Sequence, residues 1–317
     1  MSVDVIVNPV HPKGLHACER VQALCAHRGL PVRVRPTSIA RPHGVPDPEA
    51  ALTVVIGGDG TLREVAGALV GAPGWRGALL PVPTGTADLF ALNVGIRRTA
   101  DGLRLLDDVL RDADAAPCVI RCDLGWASLE RAGGGASAEQ PFLVTAGIGH
   151  SGGALLRTPG WAKDAGGAAG YGIGALTRLA ARPLPVTVSA GEGTDRTDRD
   201  LGVWAVEFGN ISRIPYGITV FPHGGPQTGA LAGLTVAPGP RTVPSWGRIF
   251  HAGFFGGHER VDDLGLLSVT SASVRSVRPL PVHLDGEAAG LVTTLRVRIA
   301  PGAIPVVVPD QSLHDLS

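Results

Sequence analysis

The chain has no excess of charge of either sign. Its 28 acidic residues balance 28 basic ones, which removes the electrostatic footprint of broad nucleic-acid binding, and no basic tail is present. Cysteine is scarce. Cys18, Cys25, Cys118 and Cys122 are too few and too scattered for a secreted disulfide framework, and no CxxC pair occurs, so they read as reduced thiols. No uninterrupted apolar run reaches the ~18 residues that would mark a membrane span. The start has no basic region, long apolar stretch or cleavage site, and passes almost at once into the strand-like run Val3 to Val7. The expectation is a cytoplasmic protein that does not cross a bilayer, with peripheral membrane contact and homodimerisation left open. The ten histidines show neither HExxH nor paired ligand spacing, which argues against an intrinsic zinc site.

What remains is the composition of a folded globular protein, 44 % apolar and 18 % charged over 317 residues, long enough to suggest two domains. The first third alternates β-branched runs with helix-like segments: Val3 to Val7, a helix around Glu19 to His27, then Val32 to Val34. After a Pro-rich connection, Leu52 to Ile56 is an unbroken apolar run of the kind found in strands buried on both faces. Leu62, Val65, Ala66 and Leu69 then recur at helical spacing, Ala78 to Val82 is the next strand, and a further helix covers about Ala100 to Asp112. Past Cys118 the chain turns to short β-like runs, among them Phe142 to Val144, Val203 to Phe208, Ile218 to Val220, Val274 to Val277 and Leu295 to Ile299. These textures predict an α/β domain over residues 1–118, completed by 300–317, and a mainly antiparallel β-sandwich domain over 119–299.

The strongest local signal is the buried strand followed by Gly57-Gly58-Asp59-Gly60-Thr61-Leu62-Arg63-Glu64 and a helix. Glycines let backbone approach an anion, and a helix N-terminus offers free N–H groups and partial positive charge. Asp59 at the strand's end can hold Mg²⁺ or accept a proton, and Thr61 can cap the helix or bond a phosphate oxygen. The segment is no Walker A loop, because no Gly-Lys-Ser/Thr follows, and no dinucleotide fingerprint, because Arg63 stands at the third glycine position. Read by itself it is also compatible with a tight strand-to-helix turn.

The chain resembles the diacylglycerol kinase catalytic family, which includes sphingosine kinases and bacterial lipid kinases and is distantly related to NAD kinases. Asn8-Pro9 resembles the family's early Asn-Pro turn, Gly57 to Ala68 its glycine-rich nucleotide loop, and Pro83 to Asn93 its Pro-x-Gly-Thr-x-Asn segment. Gly209-Asn210 with Pro215, Gly217 and Pro222 is similar to its β-domain signature, and Asp285-Gly286-Glu287 matches its Asp-Gly-Glu motif. The resemblance implies a kinase that uses ATP with Mg²⁺, bound in a cleft between the domains, to phosphorylate a hydroxyl of a lipid or lipid-like acceptor. It places Asn8, Pro9, Thr37, the loop Gly57, Gly58, Asp59, Gly60, Thr61 and Glu64, then Gly85, Thr86 and Asp285 around the nucleotide. Glu287 is expected as general base, with Asp59 as the second catalytic carboxylate and tentative metal support.

Three departures from the pattern matter. Asp88 stands where the family usually has Asn, replacing a group that donates and accepts with one that only accepts when ionised. Ser151 occupies the place of a frequent Asp, and Gln227-Thr228 replaces an acidic pair that holds an ancillary Mg²⁺ in bacterial members. That structural ion is expected to be absent. The losses also admit a kinase for a soluble hydroxylated metabolite, or an inactive nucleotide-binding member.

Two decoys sit in Gly147-Ile148-Gly149-His150-Ser151-Gly152-Gly153, which satisfies both a dinucleotide pattern and a Gly-x-Ser-x-Gly elbow. Gly160, Gly166, Gly167 and Gly170 interrupt the helix the first would need, and the His223-Gly224-Gly225 string follows the serine, against the second. His283 either points toward the site of Glu287 or is a half-exposed strand residue. Ser151 to Tyr171 is the expected acceptor-side lid.

Overall fold

The structure is a computed structural model, and it describes residues 2–10, 12–111, 117–157, 179–191, 197–239 and 242–310. The chain divides into two compact units, Met1–Leu124 with Gly302–Ser317, and Gly125–Pro301.

The first unit is α/β. Its elements are β1 (Val3–Val7), α1 (Pro12–His27), β2 (Val32–Pro36), β3 (Leu52–Gly57), α2 (Asp59–Val70), β4 (Ala78–Pro83), α3 (Leu89–Asn93) and α4 (Thr99–Arg111). β1 pairs with β2 on one side and β3 on the other, β3 pairs with β4, and Val306 of the returning chain pairs with Leu79, all in parallel. Both β1 and β3 are buried along their whole length, which is why their apolar runs show no alternation. One face of the sheet packs Val5, Val54 and Leu80 against Ala17, Val21 and Cys25 of α1 and Leu103, Leu106 and Leu110 of α4. The helix expected to begin near Glu19 starts earlier, at Pro12, where the fixed φ of proline suits a first turn. The buried carboxylate of Asp4 is matched by Arg35 Nε at 2.8 Å and the Asp47 N–H at 2.8 Å, which ties down the β2–β3 connection.

The second unit is β-rich and antiparallel. β5 (Val119–Glu130) enters it and makes a hairpin with β6 (Gln140–Phe142). Then follow β7 (Thr145–Gly149), α5 (His150–Arg157), β8 (Leu184–Ala190), β9 (Thr197–Val203), β10 (Ala205–Gly209), β11 (Leu231–Val236), α6 (Thr242–Phe255), β12 (Leu264–Val269), β13 (Ser271–Leu284) and β14 (Glu287–Val307). The order β12-β11-β10-β7-β13-β14 forms one run, and the β8–β9 hairpin joins β13 through Ala272 to Arg275. A register shift between Arg275 and Leu280 lets β13 pair with β8 along its first part and with β7 along its last. Phe142, Phe208, Val206, Val274 and Leu295 lie in the shared core.

Three helices, α3, α5 and α6, were not expected from the sequence. α3 is a single short turn, and α6 carries Pro244, Gly247 and Gly253 among strand-favouring aromatics. Ile218 to Val220 is no strand; Thr219 makes only an isolated bridge to Arg213. No helix among the described residues is long and apolar enough to cross a membrane.

Candidate active site

The parallel strands of the first unit end side by side, and the loops that leave their carboxyl ends carry the motif residues. The Asn8 N–H donates to the Ile56 carbonyl at 2.9 Å, Thr37 N–H to Val7 at 2.8 Å and Thr84 N–H to Gly57 at 3.1 Å. Asn8, Thr37, Gly57 to Thr61 and Thr84 to Asp88 are thus gathered at one edge, where open α/β sheets bind ligands. Asn8 is pinned within it, donating through Nδ2 to Thr61 Oγ1 at 3.2 Å and accepting the Val10 N–H at 3.1 Å; Pro9 forms part of that turn. The first turn of α2, whose N–H groups have no intrahelical acceptors, opens onto the same edge. Gly58 is its N-cap and no side chain caps it. Thr61 lies inside the helix with its hydroxyl turned to Asn8, so the expected capping role is corrected. Gly60 sits in the first turn, and Glu64 pairs with Arg63 at 3.0 Å.

Asp59 has a second task. Its two carboxylate oxygens accept the N–H groups of Leu89 at 2.8 Å and Phe90 at 2.9 Å, which holds the start of α3 against the glycine loop. The loops touch through their glycines: a Cβ on Gly85 would lie 2.7 Å from the Gly58 Cα and 2.6 Å from Asp88 Oδ1. Part of the demand for glycine here comes from backbone meeting backbone. Thr86 is exposed beside Gly85.

Asp88 adopts a left-handed conformation with φ of 48° and accepts the Gly85 N–H at 3.2 Å. Burial pushes its carboxyl up to about 6, against the lowering effect of the Gly85 bond and the Lys13 ammonium. Lys13, in the first turn of α1, is therefore a cation close to Asp88 at this edge, and motif reading passed over it because helix surfaces commonly carry lysine.

In the second unit the Asp285-Gly286 pair turns β13 into β14, with Leu284 paired to Glu287 and φ of 48° and 76° at the two turn residues. Asp285 is no solvated acid. It accepts the N–H groups of Leu143 at 2.9 Å, Val144 at 2.7 Å and Thr145 at 3.0 Å. Asn210 grips the same segment, donating to the Leu143 carbonyl at 3.2 Å. Glu287 is exposed just past the turn.

His283 meets neither expectation. It is 5 % exposed and its Nε2 lies 3.0 Å from Glu207 Oε2. Glu207, Gly147 and His283 stand in register on β10, β7 and β13, and the two side chains meet over the glycine between them. Burial pushes the Glu207 carboxyl up, but the charge and hydrogen bond of His283, with Ser151 and Thr145, outweigh it and hold it below the usual range. Burial lowers His283, yet Glu207 and the nearby Asp285 raise it overall. Thr145 Oγ1 donates to Glu207 at 3.2 Å, so the ion pair and the Asp285 clamp share one residue. A lone acid inside Val203 to Phe208 was the signal for Glu207. Ser151 lies close enough to Glu207 to help hold its carboxyl down. Thr228 Oγ1 donates to the Gly225 carbonyl at 3.3 Å and the Ala230 carbonyl at 2.8 Å, a turn-holding role beside Gln227. From residue 158 to Tyr171 the expected lid lies outside the described residues.

A cavity of about 400 Å³ in the first unit, lined by Trp75, Arg76 and Arg121, belongs to the opposite end of the parallel strands, since Gly74 to Arg76 precede β4. The motif residues do not line it.

Residues 2–118 match the family model described as the diacylglycerol kinase catalytic domain. The "probable lipid kinase YegS-like" protein of Pseudomonas fluorescens is 29 % identical over 258 residues, 81 % of this chain and 77 % of that protein. The chain is thus similar to the diacylglycerol kinase catalytic family over its first unit and to a lipid kinase over most of its length. The fold agrees: a Bacillus anthracis diacylglycerol kinase superposes with a TM-score of 0.68 at 19 % identity, covering 98 % of each chain. Yeast NADH kinase in complex with NADH gives a TM-score of 0.56 at 11 % identity over 100 % of this chain and 87 % of its own.

Proposed function

We propose that this chain is a kinase that transfers the γ-phosphoryl group of ATP to a hydroxyl of a lipid or lipid-like small molecule in the cytoplasm. In this reading the first unit binds the nucleotide and the second the acceptor. The observation that carries it is the gathering of Asn8, the Gly57–Thr61 loop, the start of α2 and the Gly85–Thr86 loop at the carboxyl ends of β1, β3 and β4. Phosphoryl transfer asks a protein mainly for in-line positioning and for neutralisation of oxygen charge. Backbone N–H groups at the glycine loop and the Lys13 ammonium supply donors and positive charge, Thr86 adds a hydroxyl, and Asn8 keeps Thr61 in place.

Mg²⁺ would neutralise charge on the phosphate oxygens. Among the described residues no three His, Cys, Asp or Glu side chains cluster as a metal cage, which suits an ion that enters on the nucleotide and keeps most of its water. Asp59 is the proposed single carboxylate for that ion, standing in the first turn of α2 beside the glycine loop. Glu287, exposed and next to a turn held rigid by Asp285, is the proposed general base for the acceptor hydroxyl.

Transfer of label from γ-labelled ATP across diacylglycerols, long-chain bases and soluble alcohols tests this reading. Acceptor-dependent labelling supports it, labelling of soluble alcohols alone moves the acceptor class to hydroxylated metabolites, and nucleotide binding without transfer to any acceptor refutes it.

A further inference from the structure

The cavity at the opposite end of the first unit's sheet serves none of the steps above. It is lined by Gly74, Trp75, Arg76, Arg121, Ala303 and Pro305: two cations, an indole and small or apolar residues, with no acid among them. Three separate stretches build it, namely the connection between α2 and β4, the start of β5 and the last part of β14. At about 400 Å³ it has the size of a small-molecule site.

The protein does not neutralise the charge it places there. Among the described residues Arg76 has neither a hydrogen bond nor an ion pair, and Arg121 donates only to the Gly302 carbonyl, at 3.3 Å. Asp123, two residues further on, is buried and its Oδ1 accepts the Gly302 N–H at 2.8 Å; it forms no ion pair with Arg121 and does not line the cavity. The walls are held in place. Gly302, with φ of 58°, sets its backbone against the stem of Arg121, where a Cβ would lie 3.6 Å from Arg121 Cβ, and its carbonyl steadies the guanidinium. Trp75 is fixed by packing: its Nε1 is covered and has no acceptor among the described residues, and a Cβ on Gly77 would stand 3.1 Å from that nitrogen and 2.2 Å from the Ala50 carbonyl. The indole therefore offers the cavity ring surface and no donor.

We propose that this cavity binds an organic phosphate, a phosphomonoester dianion joined to an apolar or aromatic body. Two guanidiniums match a dianion in charge, and their planar forks suit phosphate oxygens. A monocarboxylate would leave one cation unmet. The Trp75 ring and Pro305 form the wall against which the body of the ester packs, and Gly74 and Ala303 leave it room. The glycine loop lies at the other end of the same strands, so this is a second ligand site and no extension of the one proposed for ATP. It does not rest on the kinase reading.

Titration calorimetry of the full chain with phenyl phosphate tests this, with inorganic phosphate and benzoate as the second and third titrants. The native protein should bind phenyl phosphate, inorganic phosphate more weakly, and benzoate more weakly still. Arg76→Gln should weaken phenyl phosphate by about tenfold, and Arg76→Gln combined with Arg121→Gln by about a hundredfold. Arg76 has no partner among the described residues, so the single variant reads the ligand contact without a cost in folding. Trp75→Leu should weaken phenyl phosphate by about tenfold and leave inorganic phosphate unchanged, which also shows that the variant keeps its fold. Equal affinity in the native protein and the double arginine variant overturns the proposal and assigns the binding to another site. So does the lack of saturable binding of phenyl phosphate up to ~10 mM. Benzoate bound as tightly as phenyl phosphate would overturn the dianion, and inorganic phosphate bound as tightly would overturn the organic body. Binding is read here without turnover: absence of phosphoryl transfer would leave this site standing, and absence of the site would leave the kinase reading standing.

Discussion

His283 Nε2 reaches Glu207 across a strand whose residue between them is Gly147. A Cβ at that position would sit 2.1 Å from Glu207 Oε2 and 2.3 Å from His283 Nε2, so an alanine and the ion pair cannot share the space. Separating a buried pair strands two charges, at a cost of ~3–5 kcal/mol. Gly147→Ala is therefore expected to destabilise the protein by that order, read by urea unfolding. A change below about 1 kcal/mol would show that the pair contributes little.

The same pair confers a pH window. Glu207 is lowered from 4.5, so its contribution is complete above that value and is lost as pH falls through the folded pKa. His283 is raised from 6.5, so its contribution is complete below that value and is lost as pH rises through the folded pKa. The stability difference between native protein and His283→Gln should be largest between these two values and shrink on both sides. A difference that stays flat from roughly pH 4 to 9 would contradict the assignment of a charged pair.

Asp88 has the opposite sign. An acid raised from 3.8 to about 6 binds its proton more tightly in the folded state, so folding loses stability as pH rises from about 4 to about 6. Asp88→Asn removes that titration and keeps an acceptor for the Gly85 N–H. The variant should gain on the order of 2 kcal/mol over the native chain above pH 7 and little near pH 4, and should lower the KM for ATP by removing a negative charge near the phosphate edge. Thermal unfolding at the two pH values checks the first part; an equal shift at both would sink it.

Asp59 and Glu287 should separate in kinetics. Asp59→Ala deletes two charge-assisted hydrogen bonds to the start of α3 and should cost about 2 kcal/mol of stability while raising the KM for ATP. Glu287→Gln touches an exposed residue and should leave the unfolding midpoint unchanged while lowering kcat by about 10²–10⁴. Matching losses of stability in the two variants would remove the distinction between a positioning carboxylate and a general base.

The strand-turn-helix around Asp59 was legible because a doubly buried strand leaves an unbroken apolar run and a phosphate-type turn leaves glycines. Why those glycines are needed was only half legible, since the approach of Gly85 to Gly58 joins segments some 27 positions apart. The Glu207–Gly147–His283 row was not legible at all. It depends on the register of three strands, and in the sequence Gly147 looks like one more glycine of a turn while His283 looks like a strand residue of either exposure. Helix α6 was hidden for a different reason: Pro244 and two glycines break the helical pattern, and packing of Trp246 on Trp204 supplies what propensity withholds.

The most direct measurement of the central claim is single-turnover transfer from γ-labelled ATP to a hydroxylated lipid acceptor by the native protein and by Glu287→Gln. The account predicts label on the acceptor hydroxyl with the native protein, and transfer slowed by about 10²–10⁴ in the variant with ATP binding unchanged. Full-rate transfer by Glu287→Gln, or ATP bound by the native protein and never passed to any acceptor, would contradict it.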